Sequence, residues 1–272
     1  PVGTGPYEVS RFAPSEFVEL HVRDGYWGKP AAQDVTVRYF PDTISSVNAL
    51  QAGGVDVVWG VQNPELLDDV KEGIATEVGT TNGEVLLSMN NARAPFDDPR
   101  VRQAVAYAVD RSAANDILWN GMAKDTGGAP IPPTDPWFEG KHYYNYDPDK
   151  ARQLLTEAGA EGAEITLTTP TLPYAQTVAE LLYSQLTEVG FKVTLESAEF
   201  PAAWLGQVMG AKDYQMSLIS HVEPRDVPTL FGDPDYYLNY DSARTRELLA
   251  QADSAPEKDY PKLMAQAVDQ IM

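Results

Sequence analysis

The sequence predicts an α/β protein, and three observations support this fold class. Short stretches with a period of two, typical of strands, alternate with stretches of helical spacing. From residue 164 onward the predicted order is strand, helix, strand, helical stretch, strand, which favours parallel strands joined by right-handed crossovers. The length of 272 residues is enough for two lobes, each with a core of its own.

Turn residues separate the predicted elements of the first 90 residues. Alternating apolar residues predict the strands, and a capping residue with a glycine stop predicts a helix. In chain order we expect strands at 7–12, 18–23 and 35–40, a helix at 44–52 capped by Thr43, a short buried strand at 55–59, a helix from Asn63 and Pro64 to Gly73, and a strand at 84–90.

An aspartate followed by proline predicts the start of a helix at two places in the rest of the chain, Asp98 and Asp147. In the first of these helices, apolar residues recur at helical spacing from 101 to 109, and we expect this face to pack in the core. The other predicted elements are an extended Pro-rich loop at 127–137, a helix end at Gly159, strands at 164–169, 191–195 and 214–219, helices at 174–189 and around Trp204, and a helix over 260–272.

The charge of the chain limits its partners. Twenty basic and forty acidic residues give a net charge of -20, which would repel nucleic acid and anionic lipid headgroups alike. We therefore expect no nucleic-acid partner. The acidity predicts either a well-solvated surface or the attraction of a cationic ligand.

The sequence offers no pattern that predicts an enzyme. The absence of cysteine excludes disulfides, thiolate metal sites and a cysteine nucleophile. His21, His142 and His221 lack zinc-ligand spacing, and no Gly-x-Ser-x-Gly or phosphate-binding glycine motif is present, so we expect no cofactor and no built-in metal. No apolar run approaches the roughly 20 residues of a membrane-spanning helix.

The segment after the third parallel strand is the leading candidate for a binding site. Ligands of open α/β sheets bind at the carboxyl ends of the strands. Residues 221–226 carry His221, Glu223, Arg225 and Asp226 at that position. Both signs of charge in one short segment predict charge-assisted hydrogen bonds to a zwitterionic or polar ligand. The alternative is an exposed loop in which Glu223 and Arg225 only pair with each other.

Weaker candidates follow the other two strands. Glu199 comes after the second strand, and residues 169–174 come after the first. Trp137 lies in the Pro-rich loop, where it could stack on a ligand. We expect the other tryptophans to pack in the core: Trp27, Trp59, Trp119 and Trp204.

Five signatures follow one another along the chain. They are residues 1–7 (PVGTGPY), 24–28 (DGYWG), 49–56 (ALQAGGVD), 94–104 (APFDDPRVRQA) with 108–111 (AVDR), and 146–151 (YDPDKA) with 154–159 (LLTEAG). In this order they resemble the successive signatures of the family 5 solute-binding proteins of ABC importers, which carry peptides, nickel and related solutes. The resemblance extends over essentially the whole chain.

The resemblance implies a periplasmic binding protein-like fold of class II, a Venus-flytrap receptor whose two lobes close over a solute. Residues 1–88 would be the middle stretch of the first lobe, residues 89–93 a hinge crossover with Asn90 and Asn91, and residues 94–272 the second lobe. We expect the charged segment 221–226 to face the cleft near Asn90. The resemblance also implies a further N-terminal part and a final return to the first lobe, so we expect the fragment to bind solute weakly.

The implied function is delivery of a small solute, with oligopeptides or dipeptides as the leading class, to the permease of an importer at the outer face of the cell membrane or in the periplasm. A lipid anchor outside this fragment is a further implication. An acid in the segment would suit a peptide α-amino group, whereas Arg225 would suit a carboxylate or an anionic metal chelate. The alternatives are a sensor or adaptor with the same fold, and the binding of nickel or a metal chelate.

Overall fold

A computed structural model describes residues 3–61, 63–68, 70–223 and 225–272 of the chain. The chain divides into two compact units, Pro1–Thr76 and Glu77–Met272. The sequence placed the end of the first lobe at residue 88, but the strand Glu84–Met89 pairs within the sheet of the second unit. The assignment of the two lobes and of a hinge at 89–93 stays a prediction.

The first unit contains a three-stranded antiparallel sheet with the order β1-β2-β3. Its elements are β1 (Tyr7–Ala13), β2 (Phe17–Val22), β3 (Val35–Arg38), helix α1 (Thr43–Gln51) and a 3₁₀ turn at Pro64–Leu67. The predicted strands and the first helix are confirmed. The helix cap is Asp42, however, whose carboxylate accepts a hydrogen bond from Ser45 N at 2.6 Å.

Two predictions in the first unit are wrong. Residues 55–59 form no strand, and the side chains of Val57 and Trp59 are 77% and 93% exposed. The helix expected to reach Gly73 is limited to the turn Pro64–Leu67. An apolar run indicates that burial would be favourable, but it does not supply a partner strand or helix.

The second unit has the α/β order that the sequence predicted, so the fold class is confirmed. Its elements are β4 (Glu84–Met89), α2 (Pro99–Ala108), α3 (Arg111–Trp119), α4 (Pro148–Ala158), β5 (Glu164–Pro170), α5 (Pro173–Glu188), β6 (Lys192–Ala198), α6 (Ala202–Trp204) with a π-helical continuation Leu205–Gly210, β7 (Met216–His221), α7 (Val227–Gly232), α8 (Ala243–Asp253) and α9 (Tyr260–Ile271). Within the described residues, no helix combines the length and the apolar character that a bilayer crossing requires.

The sheet of the second unit has the order β4-β7-β5-β6. Strand β5 runs parallel to both β6 and β7, as predicted, and β4 is antiparallel to β7. The carboxyl ends of β5, β6 and β7 therefore lie at one edge of the sheet, and β4 begins at that same edge. We call this edge the carboxyl edge.

Both faces of this sheet are covered. On one face, Leu87 and Leu218 pack with the buried apolar side of α2, α4 and α5. On the other face, Leu86 and Ile219 pack with Trp204 and neighbouring aromatic residues. This division follows from the period of two, which sends successive side chains of a strand to opposite faces.

The tryptophans divide differently from the prediction. Trp204 is fully buried, as expected, and its Nε1 donates to Ser217 Oγ at 3.1 Å. Trp27 is 83% exposed, so its expected place in the core is wrong, as it is for Trp59. Trp137 is only 3% exposed and packs in a core cluster with α8 and α9.

Candidate functional site

The carboxyl edge brings together Glu84 and His221, the first residue of β4 and the last residue of β7. The two residues lie directly opposite each other in the antiparallel pair. Such residues share one face of the sheet, with Cβ atoms about 5 Å apart. His221 was predicted to lie in a loop, but β7 continues beyond residue 219 and ends at His221.

His221 is buried and held on one side by a tyrosine. Its Nε2 lies 2.8 Å from the hydroxyl of Tyr237, and that hydroxyl lies 2.8 Å from Ser88 Oγ on β4. The rings of His221 and Tyr237 are stacked, with centroids 5.9 Å apart. Burial lowers the pKa of His221 below its usual range, so that the imidazole is neutral near pH 7.

The other ring nitrogen of His221 faces two carboxylates. Its Nδ1 lies 3.5 Å from Asp226 Oδ2 and 3.9 Å from Glu223 Oε2. Asp226 precedes helix α7, where its backbone carbonyl accepts the hydrogen bond from Leu230 N at 2.9 Å. The Asp226 side chain makes no capping hydrogen bond to α7 and lies beside the His221 ring instead.

The Pro-rich loop adds a further acid, Asp135. Thr134 Oγ1 donates to Asn82 Oδ1 at 3.1 Å, which ties the loop to the residues just before β4. The turn is closed by a hydrogen bond from Phe138 N to Asp135 O at 3.0 Å. We call Glu84, Asp135, Glu223 and Asp226 the acidic cluster.

Three of the four acids in the cluster are buried. Glu84, Asp135 and Asp226 are 7%, 8% and 8% exposed. Burial first, and then the charges of the neighbouring carboxylates, raise the pKa of Glu84 to about 8. Burial raises the pKa of Asp226 to about 6 and also raises that of Asp135, which the charge of Arg225 opposes. Glu223 differs, since its side chain is 71% exposed.

Several carboxylate oxygens of the cluster lack hydrogen bonds. Both oxygens of Glu84, Oδ2 of Asp135 and Oδ2 of Asp226 are buried without a hydrogen-bond partner among the described residues. A buried polar atom without a partner costs free energy, roughly 1–3 kcal/mol for a neutral group and more for a charged one. The carboxyl edge thus offers free acceptor atoms to a group that donates hydrogen bonds or carries positive charge.

Arg225 lies at the exposed side of the cluster. Its guanidinium carbon is 5.9 Å from the centroid of the Trp137 ring, and its backbone has the left-handed φ of 61°. Arg225 and Glu223 form no ion pair in the part of the chain that the structure describes, so the alternative in which the two side chains only pair with each other is not observed.

Two other predicted site residues are placed apart from the cluster. Glu199 is exposed just beyond β6, and two strand intervals separate β6 from β7. Trp137 is a buried core residue that packs edge-on against Tyr260 at 5.6 Å, with its ring near Arg225 rather than open to solvent. Contact of either residue with a solute stays a prediction.

The predicted hinge residues lie at the opposite end of the β4–β7 pair. Asn90 N donates to Gln215 O at 2.9 Å, so Asn90 is separated from His221 by the length of β7, about 20 Å at roughly 3.4 Å per residue. The expected proximity of the charged segment to Asn90 is therefore wrong. Asn90 is buried, and the Asn91 side chain donates to Leu238 O at 3.0 Å; a hinge role for either stays a prediction.

The sequence analysis missed Glu84, Asp135 and Tyr237. A signal was present for Glu84, because a charged residue opens an otherwise apolar strand. For Asp135 the signal was an acid between Pro133 and Pro136 in the Pro-rich loop. Nothing in the sequence indicated that Tyr237 meets His221.

The geometry suits a positively charged guest. The ligand atoms of His221, Glu223 and Asp226 lie within 4.8 Å of one another, as donors to one metal ion would. The remaining acids of the cluster, Glu84 and Asp135, add buried carboxyl oxygens without hydrogen-bond partners beyond these three ligand atoms.

The chain is similar to known proteins over most of its length. Residues 1–240 match the family described as "Bacterial extracellular solute-binding proteins, family 5 Middle". The chain belongs to this family. Among its relatives is the glutathione-binding protein GsiB of Escherichia coli K12, at 32% identity over 205 residues, which are 73% of this chain and 40% of GsiB. The chain thus spans less than half the length of the curated relatives it matches.

Solved structures show the same fold. The periplasmic binding protein DppA from Helicobacter pylori, in complex with peptide STSA, is 25% identical with a TM-score of 0.82, over 100% of this chain and 56% of DppA. The substrate-binding protein CtaP from Listeria monocytogenes is 23% identical with a TM-score of 0.84, over 100% of this chain and 58% of CtaP. The periplasmic binding protein-like fold that the family 5 resemblance implied is confirmed.

Proposed function

We propose that the chain is part of a solute-binding receptor of an ABC importer, and that it binds a peptide at the carboxyl edge of its second unit. The observation that carries the proposal is the group of buried, unpartnered carboxylates beside His221 in a chain of family 5. A receptor binds and releases its solute unchanged, so the proposed function involves no catalysis.

Peptides are the solute class that the relatives support. GsiB is named for glutathione, which is a tripeptide, and DppA was solved with a tetrapeptide. A peptide carries an ammonium group and a carboxylate, and the segment 221–226 offers partners for both. Glu223 is exposed and suits the ammonium group, while Arg225 suits the carboxylate.

The proposed partners follow from the family. The receptor would close two lobes over the peptide and present it to the membrane permease of the importer. Its place would be extracytoplasmic, in the periplasm or at the outer face of the cell membrane, where a lipid anchor beyond this chain would retain it. A hinge crossover with Asn90 and Asn91 belongs to the same proposal.

Binding of a metal ion or metal chelate is the second candidate. It is favoured by the spacing of ligand atoms from His221, Glu223 and Asp226, which lie within 4.8 Å of one another. Imidazole and carboxylate ligands together suit first-row transition metals. In this case the metal would be the transported solute and not a resident cofactor.

Isothermal titration of the 272-residue chain with short peptides, and separately with Ni²⁺, tests the proposal. We expect weak, micromolar or poorer, binding of peptides, because the chain covers only part of the length of its relatives. Changing Glu223, Arg225 or Asp226 to alanine should each weaken binding by roughly tenfold or more, since a lost hydrogen bond to a charged group costs about 1.5–3 kcal/mol.

The matched control is Glu180→Ala on α5, which removes an exposed acid far from the carboxyl edge along the chain. It should leave the peptide affinity unchanged. Unchanged affinity in all three site variants would move the site elsewhere, and binding of Ni²⁺ without any peptide binding would favour the second candidate.

A further inference from the structure

We propose that Glu84, Asp226 and Asp135 form a buried subsite for a cationic side chain of the solute, either an ammonium or a guanidinium group. The proposal rests on the proposed function and narrows the solute class to peptides that carry lysine or arginine. It differs from recognition of the peptide ends by Glu223 and Arg225, because those two residues are exposed whereas the three acids of the subsite are buried.

Strand pairing fixes Glu84 beside the end of β7. Glu84 is directly opposite His221, and the preceding Gly83 is so close to the segment after β7 that a Cβ atom there would lie 3.4 Å from Val222 Cγ1. The start of β4 is therefore held against the start of the charged segment. The Glu84 side chain shares the sheet face of His221, and the charges of the other acids of the cluster contribute to the rise of its pKa.

Among the described residues, the buried acids have no cation in ion-pair contact, although the charge of Arg225 acts on Asp135. No lysine or arginine among the described residues forms an ion pair with Glu84, Asp135 or Asp226. The imidazole of His221, whose Nδ1 lies 3.5 Å from Asp226 Oδ2, is kept neutral by burial. Arg225 is turned toward the Trp137 ring. Four oxygen atoms are thus left as free acceptors, two on Glu84 and one on each of the aspartates.

The acids of the cluster differ widely in their exposure to solvent. Glu223 is 71% exposed, whereas Glu84 is only 7% exposed. A group that reaches Glu84 must therefore be carried on a long, thin stem. Lysine and arginine have such stems, with the charge at the tip and methylene groups that can line an apolar passage.

The number of acceptors favours an organic cation over a metal ion. The three atoms that could ligate one metal belong to His221, Glu223 and Asp226, and a metal there would leave both oxygens of Glu84 without a partner. An ammonium group brings three N–H donors and a guanidinium brings five. Several acceptors on two or three carboxylates match such a donor set better than a single point charge does.

The experiment compares peptide selectivity in the wild-type chain and in Glu84→Gln, by isothermal titration. The probes are four tripeptides of the form Ala-X-Ala in which X is lysine, arginine, methionine or glutamate. The substitution removes the ionisable carboxyl group but keeps the shape of the side chain, so we expect the variant to fold, which a thermal melt verifies. The matched control is Glu164→Gln, the same change in the first residue of β5, which lies at the opposite edge of the sheet.

We expect the wild type to bind the lysine or the arginine tripeptide at least tenfold more tightly than the methionine tripeptide. Glu84→Gln should weaken binding of the cationic tripeptides by roughly ten- to hundredfold and that of the methionine tripeptide by less than twofold. The lysine and arginine probes then separate an ammonium from a guanidinium as the preferred guest. Glu164→Gln should behave like the wild type.

Four results would overturn the subsite, and they have different consequences for the proposed function. If the methionine and glutamate tripeptides bind as tightly as the cationic ones, or if Glu84→Gln weakens all probes equally, the peptide receptor stands and the cationic subsite does not. If no peptide binds, the proposed function fails and the subsite falls with it. If Ni²⁺ binds and Glu84→Gln does not affect its affinity, the cluster is a metal site.

Discussion

Glu84 is a buried carboxyl group whose protonation should govern stability. Its pKa is raised to about 8, mainly by burial, from an ordinary value of 4.5 in the unfolded chain. Between these two values the folded state binds more protons than the unfolded state. The free energy of unfolding that depends on Glu84 is therefore present in full at acidic pH and is lost as the pH rises through about 8.

The variant Glu84→Gln isolates this contribution, because glutamine stays neutral at every pH. We expect nearly equal melting temperatures for wild type and variant near pH 5, and a variant more stable by roughly 4 kcal/mol near pH 9. Thermal melts across this range measure the difference. His221 has the opposite effect, because its lowered pKa makes the folded protein less stable as the pH falls below the ordinary pKa of histidine. This effect is the same in the wild type and the variant. A pH-independent difference would show that Glu84 is solvated.

The sequence could locate part of this site but not its composition. Residues 221–226 were identified because they combine charge with the end of a predicted strand. Glu84 could not be predicted as a site residue, because its place opposite His221 depends on the pairing of β4 with β7. Local residue spacing does not determine the register of two strands that lie far apart in the chain. The same holds for Tyr237, which the fold brings to His221 from another loop.

Helix caps were predicted well at the two aspartates that proline follows, but Asn63, which proline also follows, makes no capping hydrogen bond. Asp98 and Asp147 cap α2 and α4 as expected, accepting hydrogen bonds from Arg100 N at 2.8 Å and Lys150 N at 2.9 Å. Helix α3 was missed, although Asp110 caps it. The sequence of α3 has a good N-cap residue but lacks two other signals of a helix. No proline stands at its first position, and its C-cap residue is Asn120 and not glycine.

Asp110 is the element-scale test of this cap. Its carboxylate accepts hydrogen bonds from Ser112 N at 3.0 Å and Ala113 N at 3.1 Å. Asp110→Ala should lower the free energy of unfolding by about 1 kcal/mol, because two amide groups at the start of α3 lose their acceptor. Chemical denaturation measures this change. Asp110→Asn keeps an acceptor and should cost much less; an equal loss in both variants would mean that the charge matters and the cap does not.

Strand prediction succeeded where alternation and packing agree. The strands of the second unit were found because apolar residues fill both faces of a covered sheet. The prediction failed at residues 55–59, where the apolar content was read as burial although Val57 and Trp59 are exposed. Composition sets the tendency to be buried, but the tertiary contacts that satisfy it lie outside the local sequence.

The division of the whole molecule was also beyond the reach of local patterns. The signatures predict a crossover near Asn90, which stays a prediction, and the boundary between the compact units falls between Thr76 and Glu77. The reason is the β4–β7 ladder, which draws Glu84–Met89 into the sheet of the second unit. In the sequence, Glu84 at the carboxyl edge comes only a few residues after the boundary between the units, whereas Asn90 lies at the far end of β4.

The net charge of -20 acts on a cationic solute over a longer range than the subsite does. Long-range attraction speeds association and is screened by salt, with a Debye length of about 10 Å at 0.1 M and about 3 Å at 1 M. Contacts between buried groups are screened much less and set the dissociation rate. Association and dissociation should therefore respond differently to salt and to mutation.

Stopped-flow kinetics with the lysine and methionine tripeptides separates the two effects. As salt rises from 0.1 to 1 M, we expect the association rate of the lysine tripeptide to fall several-fold, with little change for the neutral probe. Glu84→Gln changes the net charge by only one unit in twenty, so it should keep this salt dependence while raising the dissociation rate of the lysine tripeptide alone. If the substitution slowed association and left dissociation unchanged, Glu84 would act as part of the general field and not as a contact in the bound state.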